Sequence, residues 1–160
     1  MPKITDRQQL LSILDQAYDR RSWHGTNLGG SIRGLSMDRA AWRPDPERHN
    51  IWEIVVHAAY WKYVVRRRLA GEARGSFPLK GSNWFRRPID ATEGSWRSDV
   101  ALLGEMHRSL RAMVANLPTG KLHGPLAGSK ETCSWLIAGA AAHDLYHAGQ
   151  IQLLKALSRT

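Results

Sequence analysis

WLIAGAAAHDLYHAGQIQLLKAL, residues 135–157, is a nearly uncharged run in which two imidazoles, His143 and His147, stand one helical turn apart. Its length and composition read as a buried helix. Residues at i and i+4 lie on one helix face with Cβ atoms about 5–6 Å apart. Two such rings can share one metal ion at about 2.0–2.1 Å from each nitrogen. The pair is not a zinc-peptidase motif, because Asp144 stands where HExxH carries its glutamate base.

A third histidine lies upstream, in Asn50-Ile51-Trp52-Glu53-Ile54-Val55-Val56-His57-Ala58-Ala59-Tyr60-Trp61. At about 100° per residue, Ile54, Trp61 and Val64 fall within about 60° of His57, so this ring points with the apolar stripe. On the last helix the same count gathers Leu136, Ala140, His143, His147, Gln150 and Leu154. All three imidazoles therefore face the core the helices share. Leaving three buried rings unpartnered would cost on the order of 1–3 kcal/mol each. A metal held by His57, His143 and His147 removes that cost; three separate hydrogen bonds inside the core would remove it too.

Outward from these two segments the chain reads as helix and connection. Thr5-Asp6-Arg7-Gln8 has the form of a capping box opening a first helix, with Leu10, Leu11, Leu14 and Ala17 as its stripe. Gly25, Gly29 and Gly30 then predict a kink, or a break followed by a short helix to about Gly34. Residues 36–48 run over the surface, with Pro44 and Pro46 forbidding a regular helix there. Asn50 opens a second helix ending near Gly71. Residues 72–91 turn to Gly, Pro and Arg, too long a stretch for a tight hairpin, and read as a crossover connection or an active-site flap. Thr92 to Asn116 is a third helix, stopped by Pro118. After a Gly/Pro-containing link, Glu131 or Thr132 starts the last helix, which runs to about Ser158. Strand signals are nearly absent, so the expected fold is all-α: a single 160-residue domain built as a four-helix bundle with a long crossover connection.

The net charge of +9 raises the question of nucleic acid. Its distribution argues against specific recognition. Arg66-Arg67-Arg68 closes a helix, where cations complement the dipole, and the remaining charges are interleaved with Asp and Glu. No apolar stretch reaches the length of a membrane span, and the N-terminal residues lack a signal-peptide core. Cys133 is the single cysteine, expected as a small packing residue, and it fits a reducing cytoplasm.

Ile51-Trp52-Glu53-Ile54-Val55-Val56-His57 and His143-Asp144-Leu145-Tyr146-His147-Ala148-Gly149-Gln150-Ile151 together resemble the DinB-like (YfiT-like) family of helical metalloproteins. Trp23-His24-Gly25 and Ala41-Trp42-Arg43-Pro44 have the look of one branch of it. The resemblance spans the whole chain and is weakest over residues 72–91. It implies an up-down-down-up helix order and a divalent metal, zinc or nickel, on His57, His143 and His147. It further implies a homodimer and kinship with transferases that use low-molecular-weight thiols.

Three protein nitrogens leave a coordination position open, as catalytic rather than structural sites do. A divalent ion there lowers the pKa of water or thiol. The resemblance makes thiol-dependent S-transfer on a small-molecule substrate the expected activity. A metal-dependent hydrolase, or a metal-binding stress or interaction protein without turnover, are the alternatives. Glu53, one turn before His57, is the candidate base, with the N3 position of a capping box as its rival role. His24, in the glycine-rich break, is a candidate pocket residue. His49, His107 and His123 are expected to be solvated, and Trp52, Trp61 and Trp135 to be core. Trp84-Phe85 either covers a ligand or is buried at an interface.

Overall fold

The computed structural model describes residues 4–159; the residues read for a leader segment at 1–3 lie outside it. Six α-helices follow in order: α1 (Asp6–Tyr18), α2 (Leu28–Ile32), α3 (Met37–Ala41), α4 (Ile51–Ala70), α5 (Glu93–Asn116) and α6 (Cys133–Leu157). Among the described residues there is no strand, only an isolated bridge between Pro125 and Thr132. The expected all-α class holds.

The ends of the long helices are set locally. Thr5 and Asn50 form full capping boxes with Gln8 and Glu53, and the Thr92 and Thr132 side chains accept the amides of Ser95 and Trp135. Gly71 closes α4 in the left-handed region (φ 72°), its amide shared by the carbonyls of Arg67 and Arg68. The glycine-rich break resolves into α2. A Cβ on Gly29 would lie 2.8 Å from the Tyr18 carbonyl oxygen, so the close approach of α2 to the end of α1 requires a glycine there.

Three expectations are corrected, the third (His107) with the core below. Residues 36–48 are not all surface loop: α3 forms ahead of the prolines and buries Ala40. Its first amide, on Met37, donates to Glu93 Oε1 at 2.8 Å, so its N-terminus is held by a residue 56 positions away. Trp61 and Trp135 are not core but 37% and 58% exposed, whereas Trp52 is fully buried. The apolar residues of α4 and α6 exceed what their neighbours can cover, and these two large rings take the outward positions.

The helix α4 packs against α5 and α6, and α1 packs against the same two. Their apolar contacts fall into two clusters. One centres on the first half of α4 with Leu28, Ile32, Trp96, Leu103 and Ile151. The other centres on Leu14, Leu69, Leu110, Val114 and Ile137. Between them lies a layer of buried polar side chains: Lys62 from α4, His107 from α5, and Asp144 and His147 from α6. Lys62 is ion-paired with Asp144, its Nζ 5.0 Å from the centre of the Tyr18 ring. Tyr18 in turn stacks on His107 at 3.8 Å. His107, expected to be solvated, is therefore buried instead. Burial, followed by the nearby Lys62, pushes its pKa down to about 3 and keeps it neutral.

Candidate metal centre

The polar layer continues outward into the three histidines singled out in the sequence. One ligand-capable atom from each of His57, His143 and His147 lies within 4.8 Å of the others. His143 Nε2 stands 3.2 Å from His57 Nε2 and 3.0 Å from His147 Nε2. Nitrogens held tetrahedrally at about 2.0–2.1 Å from one ion are roughly 3.3–3.4 Å apart, so the spacing is close to that of a loaded site.

Neighbouring groups choose the tautomers. His57 Nδ1 donates to the backbone carbonyl of Asn83 at 2.8 Å, and a carbonyl can only accept. His147 Nδ1 donates to Gln150 Oε1 at 2.7 Å, while Gln150 Nε2 donates to the Tyr146 hydroxyl at 3.1 Å. Both rings therefore present an Nε2 lone pair toward His143. A proton on His143 Nε2 could satisfy one of them, not both. A shared cation satisfies all three, and outer partners of this kind are what fix metal-binding imidazoles.

Electrostatics point the same way. Burial pushes His57 down to about 4, against the pull of the Asn83 carbonyl, and pushes His143 down to about 3, with the facing imidazoles adding to it. His147 is lowered mainly by burial. Near neutral pH all three are uncharged and able to coordinate.

The connection over residues 72–91 reaches this centre through one ring. Trp84 stacks on His57 at 3.8 Å and, on its other face, on His49 at 3.6 Å. His49 is thus partly covered, and its Nδ1 lies 3.0 Å from Glu53 Oε2. Phe85, the other aromatic of the pair, is buried in the core with Phe77 and Tyr60 around it.

Glu53 is not in the three-histidine group. Its carboxylate receives two bonds from Arg43 (2.9 and 3.3 Å), the contact from His49, and the amides of Arg87 and Asn50 at 3.2 and 3.4 Å. Burial works to raise its pKa, yet Arg43, His49 and the Arg87 amide hold it below the usual value. It meets the centre only through the stack of His49 on Trp84. His24 is exposed in the turn between α1 and α2 and is likewise outside the group. His123 is exposed and pairs with Asp6 at 2.8 Å. Cys133 is buried at the start of α6.

Lys62 is the residue the sequence reading passed over. It is the only Lys or Arg between residues 51 and 65, and that isolation within an apolar run was the available signal.

Residues 20–151 match the model of the DinB superfamily, and the chain belongs to that family. No curated protein and no solved structure matches the sequence. No helix among the described residues is long and apolar enough to cross a membrane.

Proposed function

We propose that this chain is a divalent-metal-dependent enzyme, a thiol-dependent S-transferase, with zinc or nickel held by His57, His143 and His147. The observation that carries the metal reading is the convergence of three neutral imidazoles whose Nδ1–H groups are, for two of them, already committed elsewhere. A bound ion would supply Lewis acidity, lowering the pKa of a coordinated thiol or water. With three uncharged ligands it would keep its full charge, favouring an anionic partner such as a thiolate. The protein's own part is to hold the rings. Asn83 and Gln150 orient two of them, while Trp84 covers one face of His57 and keeps water from it. His143 is the only ring of the three that is not fully buried, which supports approach from its side.

Cobalt- or nickel-loaded protein tests the thiol. A low-molecular-weight thiol at millimolar concentration is expected to bring a sulfur-to-metal charge-transfer band. No spectral response to thiol, with turnover of an ester or amide, would instead establish the hydrolase; no response and no turnover would leave a metal-binding protein.

The same reading includes a four-helix bundle in up-down-down-up order, a cytoplasmic setting and a homodimer. The outer face of α6 supports the dimer. Trp135, Tyr146, Leu153 and Leu157 are 58%, 64%, 61% and 43% exposed there, interspersed with exposed Ala138, Gly139, Ala142 and Gly149. The only charged residues of α6, Asp144 and Lys155, are not among its exposed positions. A face that apolar, with small residues allowing close helix approach, suits a second copy of itself. Sedimentation equilibrium is expected to give a dimer that Leu153→Glu converts to monomer; an unaltered dimer would place the interface elsewhere.

A further inference from the structure

The second half of α4 and the connection that follows it enclose a groove of about 960 Å³. Two of its lining residues, Trp61 and Asn83, both exposed, also contact the histidines, none of which lines the groove. The Trp61 ring lies edge-on at 6.3 Å from both His57 and His143, and its Nε1 donates to Asn83 Oδ1 at 3.0 Å. The walls are aromatic: Tyr60 and Tyr63 pack on Phe77 at 5.3 and 5.4 Å.

The outer part is cationic. Arg67, Arg68, Arg74 and Lys80 line the groove, and no Asp or Glu does. Arg68 is paired with Glu131 at 2.9 Å. Arg67 spends Nη1 on the Glu72 carbonyl at 2.8 Å, but its Nε is buried without a partner. Arg74 and Lys80 have no ion pair or hydrogen bond among the described residues. Cations at the end of α4 complement the helix dipole, which accounts for Arg67 and Arg68. It does not account for Arg74 and Lys80, which lie beyond the Gly71 cap.

The loop bearing Arg74 is also held in place. The amides of Gly75 and Ser76 and the Ser76 hydroxyl all donate to the Tyr63 phenol oxygen, at 3.1–3.2 Å. Unpaired cations on Arg74 and Lys80, exposed beside a groove walled by aromatic rings, suit an anion with an apolar body. Guanidinium groups match carboxylate and phosphate oxygens in geometry, and the rings receive the rest by stacking.

We infer that this groove binds an elongated organic acid. Its carboxylate or phosphate group lies against Arg67, Arg74 and Lys80, its apolar body runs along Tyr60, Trp61 and Phe77, and its opposite end is directed toward the three histidines. The last of these statements rests on the metal-dependent reading above; recognition of the anion does not. The test therefore uses metal-free, full-length protein.

Calorimetric titration with 4-phenylbutyrate, its neutral amide and 4-phenylbutyl phosphate at low ionic strength compares the headgroups on one body. The acid or the phosphate is expected to bind at least about tenfold more tightly than the amide, a difference within reach of one desolvated charge pair. The tighter of the two names the anion. In Arg74→Gln/Lys80→Gln the preference should shrink to about threefold or less, with amide binding unchanged as evidence of an intact groove. Binding of both the acid and the phosphate no tighter than that of the amide, no binding of any of the three, or a preference that survives the double substitution would overturn the inference. None of these outcomes depends on whether a metal binds.

Discussion

His143→Ala and His147→Ala are each expected to weaken divalent-metal binding by more than about a hundredfold, beyond the 10–100-fold typical of losing an outer partner. The helical fold should remain, because two apolar clusters hold it without the histidines. Competition with a chromophoric chelator measures the affinity, and circular dichroism of the same samples checks the fold. Gln150→Ala, which removes only the group orienting His147, should fall in the lower, outer-partner range. His24→Ala, altering an exposed side chain outside the group, should change nothing. Unchanged affinity in both ligand variants would remove the metal centre altogether.

Acid should act on the same site. The folded-state values of His57 and His143, about 4 and about 3, lie below the ordinary 6.5. Between those values the unfolded chain binds more protons than the folded one, so stability falls as pH falls. Metal-free protein is therefore expected to melt at progressively lower temperature from pH 6.5 down toward pH 4, and the buried neutral His107 adds to the trend. Metal affinity should drop over the same interval, since protons compete for the lone pairs.

The largest effect on stability is expected at Lys62. Its side chain is 2% exposed and that of its partner Asp144 is 1%. Lys62→Met would leave a carboxylate buried with no countercharge, and burial already raises the Asp144 pKa with Lys62 opposing it. Breaking one side of a buried pair costs about 3–5 kcal/mol, whereas replacing both sides with apolar residues is often neutral. Urea unfolding of Lys62→Met should show a loss of that order, and Lys62→Met/Asp144→Leu should recover most of it. A single substitution costing under about 1 kcal/mol would mean that the pair is solvated rather than sealed.

What could be read from the sequence divides along a physical line. Helices whose ends are fixed by neighbouring residues were readable: Thr5 with Gln8, Asn50 with Glu53, the glycine at 71 and the threonines at 92 and 132. The histidines were readable because two share a turn of one helix and the third follows the apolar stripe of another. The helix α3 was not, since its first amide is satisfied by Glu93 from a distant segment. Nor were the outward turns of Trp61 and Trp135, because a helix apolar on most sides gives no local sign of which side its neighbours leave bare. His107 needed Tyr18 across the helix interface before its burial made sense. The groove beside the centre is made by a connection whose path depends on Phe77, Phe85 and Tyr60 meeting in space, and no periodicity records such a meeting.

The buried pair has a meaning apart from its net worth in free energy, and it concerns competing arrangements. Much of α6 is Ala, Gly and Leu, a surface over which a partner helix could settle in more than one longitudinal position. Sliding α6 by one turn, about 5.4 Å, would bring Ala140 or Ala148 to the place of Asp144. Lys62 would then be sealed against a methyl group, at a cost of several kcal/mol. The same slide would put His143 where His147 now stands, or the reverse, so that only one of the two would still face His57 and the set of three would be broken. A single lysine thus acts as a key that admits one alignment of the two helices, and that alignment is the one in which the three rings meet.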